Sequence, residues 1–212
     1  MSGAFAWIMS HQPEFYRALG QHLLMYVISM TFALALGLPL AVLIVNRRGL
    51  AFGVINSVSA LRALPSLAIL AIMMPILGIG LWPSIVALTV LALPPILLNA
   101  YVGLRDVDPD AVEAATGMGM SRGQVLRRIR IGLAAPAMFA GARTASVQVL
   151  AGATLAPFIG GGGLGDFIVT GISIMDTSRM LVGAVPIALL ALGSELALSL
   201  AEKWLFGRRV GT

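Results

Sequence analysis

Three ionisable side chains, Arg62, Arg143 and Glu195, lie deep inside apolar stretches of this 212-residue chain. In hydrocarbon each unpaired charge costs roughly 2.5–3.5 kcal/mol even on the lenient insertion scale, so each demands a partner. At about 1.5 Å rise per residue, Arg143 and Glu195 fall at matching depths, on the order of 10 Å from the same face. The spacing predicts an ion pair between Arg143 and Glu195, with Arg62 as a competing partner for Glu195. Snorkelling to water or bonding to backbone carbonyls is the plain alternative. Sets of residues suited to catalysis do not assemble. His11 and His22 have no carboxylate or cysteine cluster with which to hold a metal, and the serines have no histidine placed for a hydrolytic triad. Zero cysteines exclude disulfides, thiolate sites and thiol nucleophiles. The run Gly160, Gly161, Gly162, Gly163, Leu164, Gly165 formally satisfies G-x-G-x-x-G through Gly160, Gly162 and Gly165. No strand-like segment precedes it and no Lys-Ser/Thr follows, so a flexible or tight turn is expected rather than a phosphate site. The chain reads as neither enzyme nor cofactor or metal carrier.

The elements that must hold these residues are membrane helices. Hydrophobic residues make up 58% of the chain and charged ones 11%, where soluble domains carry roughly 25% charged. Spans of about 20 apolar residues are expected near Leu23–Val45, Ala51–Ile76, Leu81–Gly103, Ala135–Pro157 and Leu181–Trp204. Five such spans and one large loop nearly use up the length, which leaves a single all-α transmembrane domain, residues 1–212. Residues 1–19, with Phe5, Trp7, Phe15 and Tyr16 around Pro13, read as an interfacial segment, and the absence of a basic residue before the first apolar run argues against a cleaved signal. Pro65, Pro75 and Arg62 make the second span awkward against lipid. Pro94 and Pro95 are expected to kink or open the third. Ala140, Gly141, Ala142, Ala145 and Gly152 suit the fourth to close helix packing.

Charge orients the bundle. The net charge is +5, and Arg47, Arg48, Arg105, Arg122, Arg127, Arg128, Arg130, Lys203, Arg208 and Arg209 fall on one face, with Arg17 and Arg179 on the other. The positive-inside rule then places the N-terminus outside and the C-terminus in the cytoplasm. The same topology accounts for the basic residues without nucleic acid.

The one extended polar stretch, residues 104–135, is expected to be a cytoplasmic helix–turn–helix. Asp108 and Pro109 suit an N-cap and first helical position. A helix from Pro109 to about Thr116 should end through Gly117 and Gly119, and Ser121 with Gln124 reads as a capping box for the next. There Val125, Leu126, Ile129 and Leu133 share a face while Arg122, Arg127, Arg128 and Arg130 lie elsewhere, the pattern of a helix lying along lipid.

Glu113, Ala114 and Ala115, with Gly119 after three intervening residues, resemble the EAA loop of binding-protein-dependent ABC importer permeases. Ile129 stands at the family's distance, but Ile131 and Gly132 replace its usual Leu-Pro, so Pro136 becomes the candidate break. Leu61–Ala68, Leu77–Gly80, Ala140–Ala145 and Phe158–Ile168 follow in the family's order, and the last is most similar to permeases for the osmoprotectants glycine betaine, carnitine and choline. The resemblance implies a MetI-like, multi-pass protein of the cytoplasmic (inner) membrane. It implies ABC ATPase subunits that bind ATP and Mg and grip the loop at Glu113, Ala114, Ala115, Gly117 and Gly119. It also implies a second permease subunit, identical or related, and an extracytoplasmic substrate-binding protein. Residues 158–178 become an outer glycine-rich loop, with Gly160, Gly161, Gly162, Gly163 and Gly165 as a candidate gate or docking point. A permease for another small solute, such as methionine or taurine, is the nearest alternative. A secondary transporter or channel is the more distant one, and it predicts an internal repeat or charged relay that the sequence does not display.

Overall fold

The computed structural model describes residues 2–206, and these form helices and turns without a strand. Along the chain they are α1 (Ser2–Ser10), α2 (Gln12–Ile44), α3 (Arg48–Ala63), α4 (Ser66–Leu77), α5 (Leu81–Arg105), α6 (Pro109–Gly117), α7 (Arg122–Gln124), α8 (Ile131–Gly152), α9 (Gly165–Ser173) and α10 (Thr177–Phe206). A π-helical segment, Val125–Arg130, joins α7 to α8, and a 3-10 helix, Ala153–Ile159, follows α8. Arg208 and Arg209 lie outside the described residues.

The bundle has a loop end, carrying α6, and a glycine end, carrying residues 160–165. Gln21, early in α2, bonds Gly163 at the glycine end, and Asn46, just past α2, bonds Arg130 at the loop end. From there α3 and α4 return, α5 runs back, α8 returns and α10 closes the path, giving five traverses.

Several of these elements differ from the sequence expectation. Residues 1–19 divide between α1 and the start of α2, which opens at Gln12 because Pro13 occupies the first turn, where its missing donor costs nothing. At 33 residues, α2 is about 50 Å long against a hydrocarbon core of about 30 Å. The second span is broken, with α3 and α4 meeting at an angle of 103°. Leu64 is extended at the break (φ −77°, ψ 132°), the conformation that a following proline imposes. By contrast, Pro94 and Pro95 do not interrupt α5, which continues as one helix with both rings buried. The polar loop's second helix does not lie apart on the lipid surface either. α7, the π segment and α8 follow without a gap, and Pro136 sits inside α8 rather than breaking it.

Among the described residues α2, α5 and α10 are each long and apolar enough to cross a bilayer, and the bent α3–α4 pair qualifies as a fourth. α8 is 22 residues long, and Arg143, Gln148 and its many small residues lower its hydropathy. It compensates by packing, lying against α5 at the centre of the molecule. An added Cβ at Gly141 would come within 2.7 Å of the Pro95 carbonyl oxygen, and one at Gly103 within 2.6 Å of Ala137 Cβ. Lipid supplies no hydrophobic drive between helices, so close backbone approach and van der Waals contact hold α8 on α5. Met25, Ile85, Leu88, Ile96, Ala145 and Val149 make the middle of this core, with α2 on its far side. Tyr26 Oη and Ser146 Oγ lie 2.8 Å apart, and Ser29 Oγ donates to the Ile85 carbonyl at 3.1 Å. Of the three long apolar helices α2, α5 and α10, the last is the least enclosed.

Candidate functional site

At the loop end, local chemistry builds α6. Asp108 Oδ1 accepts the Asp110 amide at 2.9 Å, and Pro109 takes the first helical position. The helix ends in a Schellman arrangement: Met120 N donates to the Ala115 carbonyl at 3.2 Å and Gly119 N to that of Thr116 at 2.9 Å. Gly119 alone supplies the positive φ, +83°, while Gly117 is still helical. The expectation that both glycines turn the chain is therefore corrected: one residue with a permissive backbone suffices. Ser121 Oγ accepts the Gln124 amide at 3.4 Å, and Gln124 Oε1 accepts the Ser121 amide at 2.8 Å, completing the capping box.

The five residues read as the grip divide by burial. Glu113, Ala114 and Gly117 are exposed, but Ala115 is buried against its own chain. The helical period decides this, because Ala115 lies three residues after Val112, which packs against Leu104, Val107 and Ala134. Ala115 seats α6 and is not free to meet a partner. Met118, which the sequence reading did not single out, is 74% exposed at the end of the helix. Between α6 and the π segment runs a groove of about 500 Å³ whose walls include Val112, Thr116, Val125 and Leu126. Arg130 Nη1 donates to Asn46 Oδ1 at 3.1 Å, fastening the π segment to the end of α2. α6 thus presents a small exposed surface and leads, through one turn and a continuous helix, into the core.

Of the three intramembrane charges, two come together. Arg143 Nε donates to Glu195 Oε1 at 3.1 Å, and Arg143 also contacts that oxygen through Nη2. Arg143 Nη1 reaches a second carboxylate, Glu202, at 3.1 Å. Glu202 was passed over, although its spacing of seven residues from Glu195 puts both on one side of α10. Arg62 is not part of this cluster. It sits in the last turn of α3, beside Gln148 near the far end of α8 and apart from Arg143, Glu195 and Glu202. Its expected competition for Glu195 does not occur.

At the glycine end the turn is packed. Gly160, Gly162 and Gly163 have φ of +74°, +71° and +92°. Gly163 N donates to Gln21 Oε1 at 3.2 Å, and Gly80 N to the Ile159 carbonyl at 2.7 Å. A Cβ on Gly161 would overlap Ser84 Oγ, and one on Gly165 the carbonyl oxygen of Thr154. Beside the turn, Trp7 stacks on His11 at 4.4 Å and meets the edge of Phe167 at 5.1 Å. Arg179 lies over Trp7, 5.4 Å from its ring centre, and 3.6 Å from Glu14. Burial, and secondly Glu14, raise the pKa of Asp166 above the ordinary carboxylate value. His22 is fully buried behind Gly163.

Comparison with known proteins agrees with this architecture. Residues 33–207 match the family described as binding-protein-dependent transport system inner membrane component. The carnitine transport permease protein OpuCB of Listeria monocytogenes is 41% identical over 182 residues, covering 86% of this chain and 84% of that protein. The glycine betaine/carnitine/choline transport system permease protein OpuCB of Bacillus subtilis is 36% identical over 203 residues, covering 96% and 94%. An inward-facing structure of the MetNI methionine ABC transporter superposes with a TM-score of 0.84 at 25% identity, covering 92% of this chain and 98% of that one. With the matched region running from the second half of α2 through the loop to the end of α10, this chain belongs to the family of inner membrane components of binding-protein-dependent transport systems.

Proposed function

We propose that this chain is the permease subunit of an osmoprotectant importer, moving glycine betaine, carnitine or choline across the inner membrane. The observation that carries the reading is mechanical. α6 exposes Glu113, Ala114, Gly117 and Met118 while Ala115 anchors it, and α7, the π segment and α8 run unbroken from that anchor to the core. A soluble ATPase gripping α6 would move α8 as a rod. ATP and Mg belong to that ATPase, a binding protein delivers the solute at the glycine end, and a second permease subunit, identical or related, completes the pathway. The names of the relatives support the solute class. In this reading the chain is a single domain, 1–212, with 104–135 in the cytoplasm, 158–178 outside and Gly160–Gly165 near the outer mouth. Arg47, Arg48, Arg105, Arg122, Arg127, Arg128, Arg130 and Lys203 at the loop end support this orientation.

The test uses the whole importer in proteoliposomes. Glu113→Lys is expected to lower ATP-dependent glycine betaine uptake about tenfold or more, the scale of a lost charge-assisted contact, while the permease keeps its melting temperature. Uptake that persists without an ATPase, or is indifferent to Glu113, overturns the reading. Because the natural chain has no cysteine, Ala114→Cys reports sidedness directly. Labelling of intact cells by an impermeant thiol reagent contradicts a cytoplasmic loop.

A further inference from the structure

The bend between α3 and α4 leaves a cavity of about 300 Å³ against α5 and α8, at the small end of the roughly 300–1,000 Å³ found for small-molecule sites. Leu91 and Pro94 reach it from near the middle of the 25-residue α5, and Gln148 from about 25 Å along α8. The cavity therefore lies at mid-depth, away from both mouths. Three polar side chains meet in it, Arg62, Ser66 and Gln148. Among the described residues none of the three makes a side-chain hydrogen bond or ion pair.

Their chemistry is one-sided. A guanidinium presents a planar fork of donors that matches a carboxylate, while a serine hydroxyl and a glutamine amide add further donors. The remaining lining is aliphatic, proline or glycine, with no acid and no aromatic ring. A trimethylammonium group, which aromatic faces bind, finds nothing here. An anion finds three donors beside an aliphatic wall, with Arg62 exposed and Ser66 and Gln148 half-buried, so that all three are open to a solute, and an unpaired arginine inside a span marks function.

We propose that Arg62, with Ser66 and Gln148, forms an intramembrane subsite that receives the carboxylate of a zwitterionic quaternary ammonium solute. This rests on the importer reading above and deepens it: glycine betaine and carnitine carry a carboxylate, whereas choline carries a hydroxyl. Arg62 is then a specificity-determining residue of the pathway.

Uptake of glycine betaine and of choline is measured in proteoliposomes holding the complete importer, for wild type, Arg62→Gln and Arg62→Lys, with ATP hydrolysis recorded in the same vesicles. Arg62→Gln is expected to lower betaine uptake about tenfold or more and choline uptake less than about twofold, with hydrolysis and complex assembly unchanged. Arg62→Lys should fall between, since an ammonium keeps the charge and loses the fork. Parallel losses for the two solutes, or undiminished betaine uptake, overturn the assignment and leave the importer reading standing. So does a wild type that carries choline alone. A wild type that carries betaine alone shifts the decision to hydrolysis: betaine uptake lost with stimulated hydrolysis intact supports the subsite, and loss of both overturns it. A wild-type importer that moves neither solute defeats the importer reading itself.

Discussion

The loop end and the glycine end both interrupt the apolar traverses, yet they are held in opposite ways. α6 stands on hydrogen bonds between near neighbours in sequence: Asp108 with Asp110, Met120 with Ala115, Ser121 with Gln124. The turn at Gly160–Gly163 is held by residues far away in sequence, with Gln21, Ser84 and Gly80 closing on backbone that has no side chains to intervene. A self-supporting element keeps its shape when exposed and pulled, so the pull passes on to α8, whereas an element woven from several parts of the chain is itself part of the core. That contrast suits a handle at one end and a fixed corner at the other.

Substitution sharpens the contrast most at Gly165. A methyl there collides with the Thr154 backbone, which cannot rotate aside, so Gly165→Ala is expected to cost upward of about 3 kcal/mol. Purified protein should melt roughly 10 °C lower; an unchanged melting temperature would show the turn to be loose. For the same reason, valine at Gly162 and Gly163 would report folding before any gating. A smaller effect is expected where α8, the rod between the two ends, is tied to α10. Reversing Arg143 to Glu should lower the melting temperature by several degrees, and adding Glu195→Arg should recover part of the loss. Failure of the double variant to recover anything would argue against the pair. Smaller again is Gly119→Ala at the loop end. Nothing lies within 4 Å of the added methyl, so only the left-handed backbone is penalised, by about 1 kcal/mol. A drop as large as that of Gly165→Ala would erase the distinction between the ends.

The same contrast explains what was legible in the sequence. Caps act over three or four residues, so Asp108, Pro109, Ser121 and Gln124 announce α6 and its successor directly. The share of burial within α6 followed from helical period alone, and Ala115 rather than Ala114 faces inward because it joins Val112 on the packed side. The break at Leu64 had a local signal too, the restriction that Pro65 places on its predecessor, but continuous apolarity from Ala51 to Ile76 concealed it. The pairing of Arg143 with Glu195 was readable from depth. Glu202 was not, because its place at the same arginine depends on how α10 crosses α8. Least legible was the glycine run: a turn is evident from composition, but its seat against Ser84 and Thr154 arises from contacts that no spacing reveals.

The smallest expected effect concerns charge at the glycine end, where side chains meet partial burial that α6 avoids. Burial first, and Glu14 second, raise the pKa of Asp166. The native chain therefore takes up this proton at a higher pH than the unfolded chain does, and native stability rises as pH falls through the raised pKa. The gain levels off below the ordinary carboxylate range near pH 4, where both states are protonated. Asp166→Asn removes the titration, so this variant should melt about a degree above wild type at neutral pH, a small margin because water still screens the carboxylate. The difference should close on acidification. Glu14→Gln should reduce that margin without abolishing it, since burial is the larger of the two causes. A margin that vanishes with Glu14→Gln would reverse that ranking, making the glycine end an electrostatic contact rather than a packed corner.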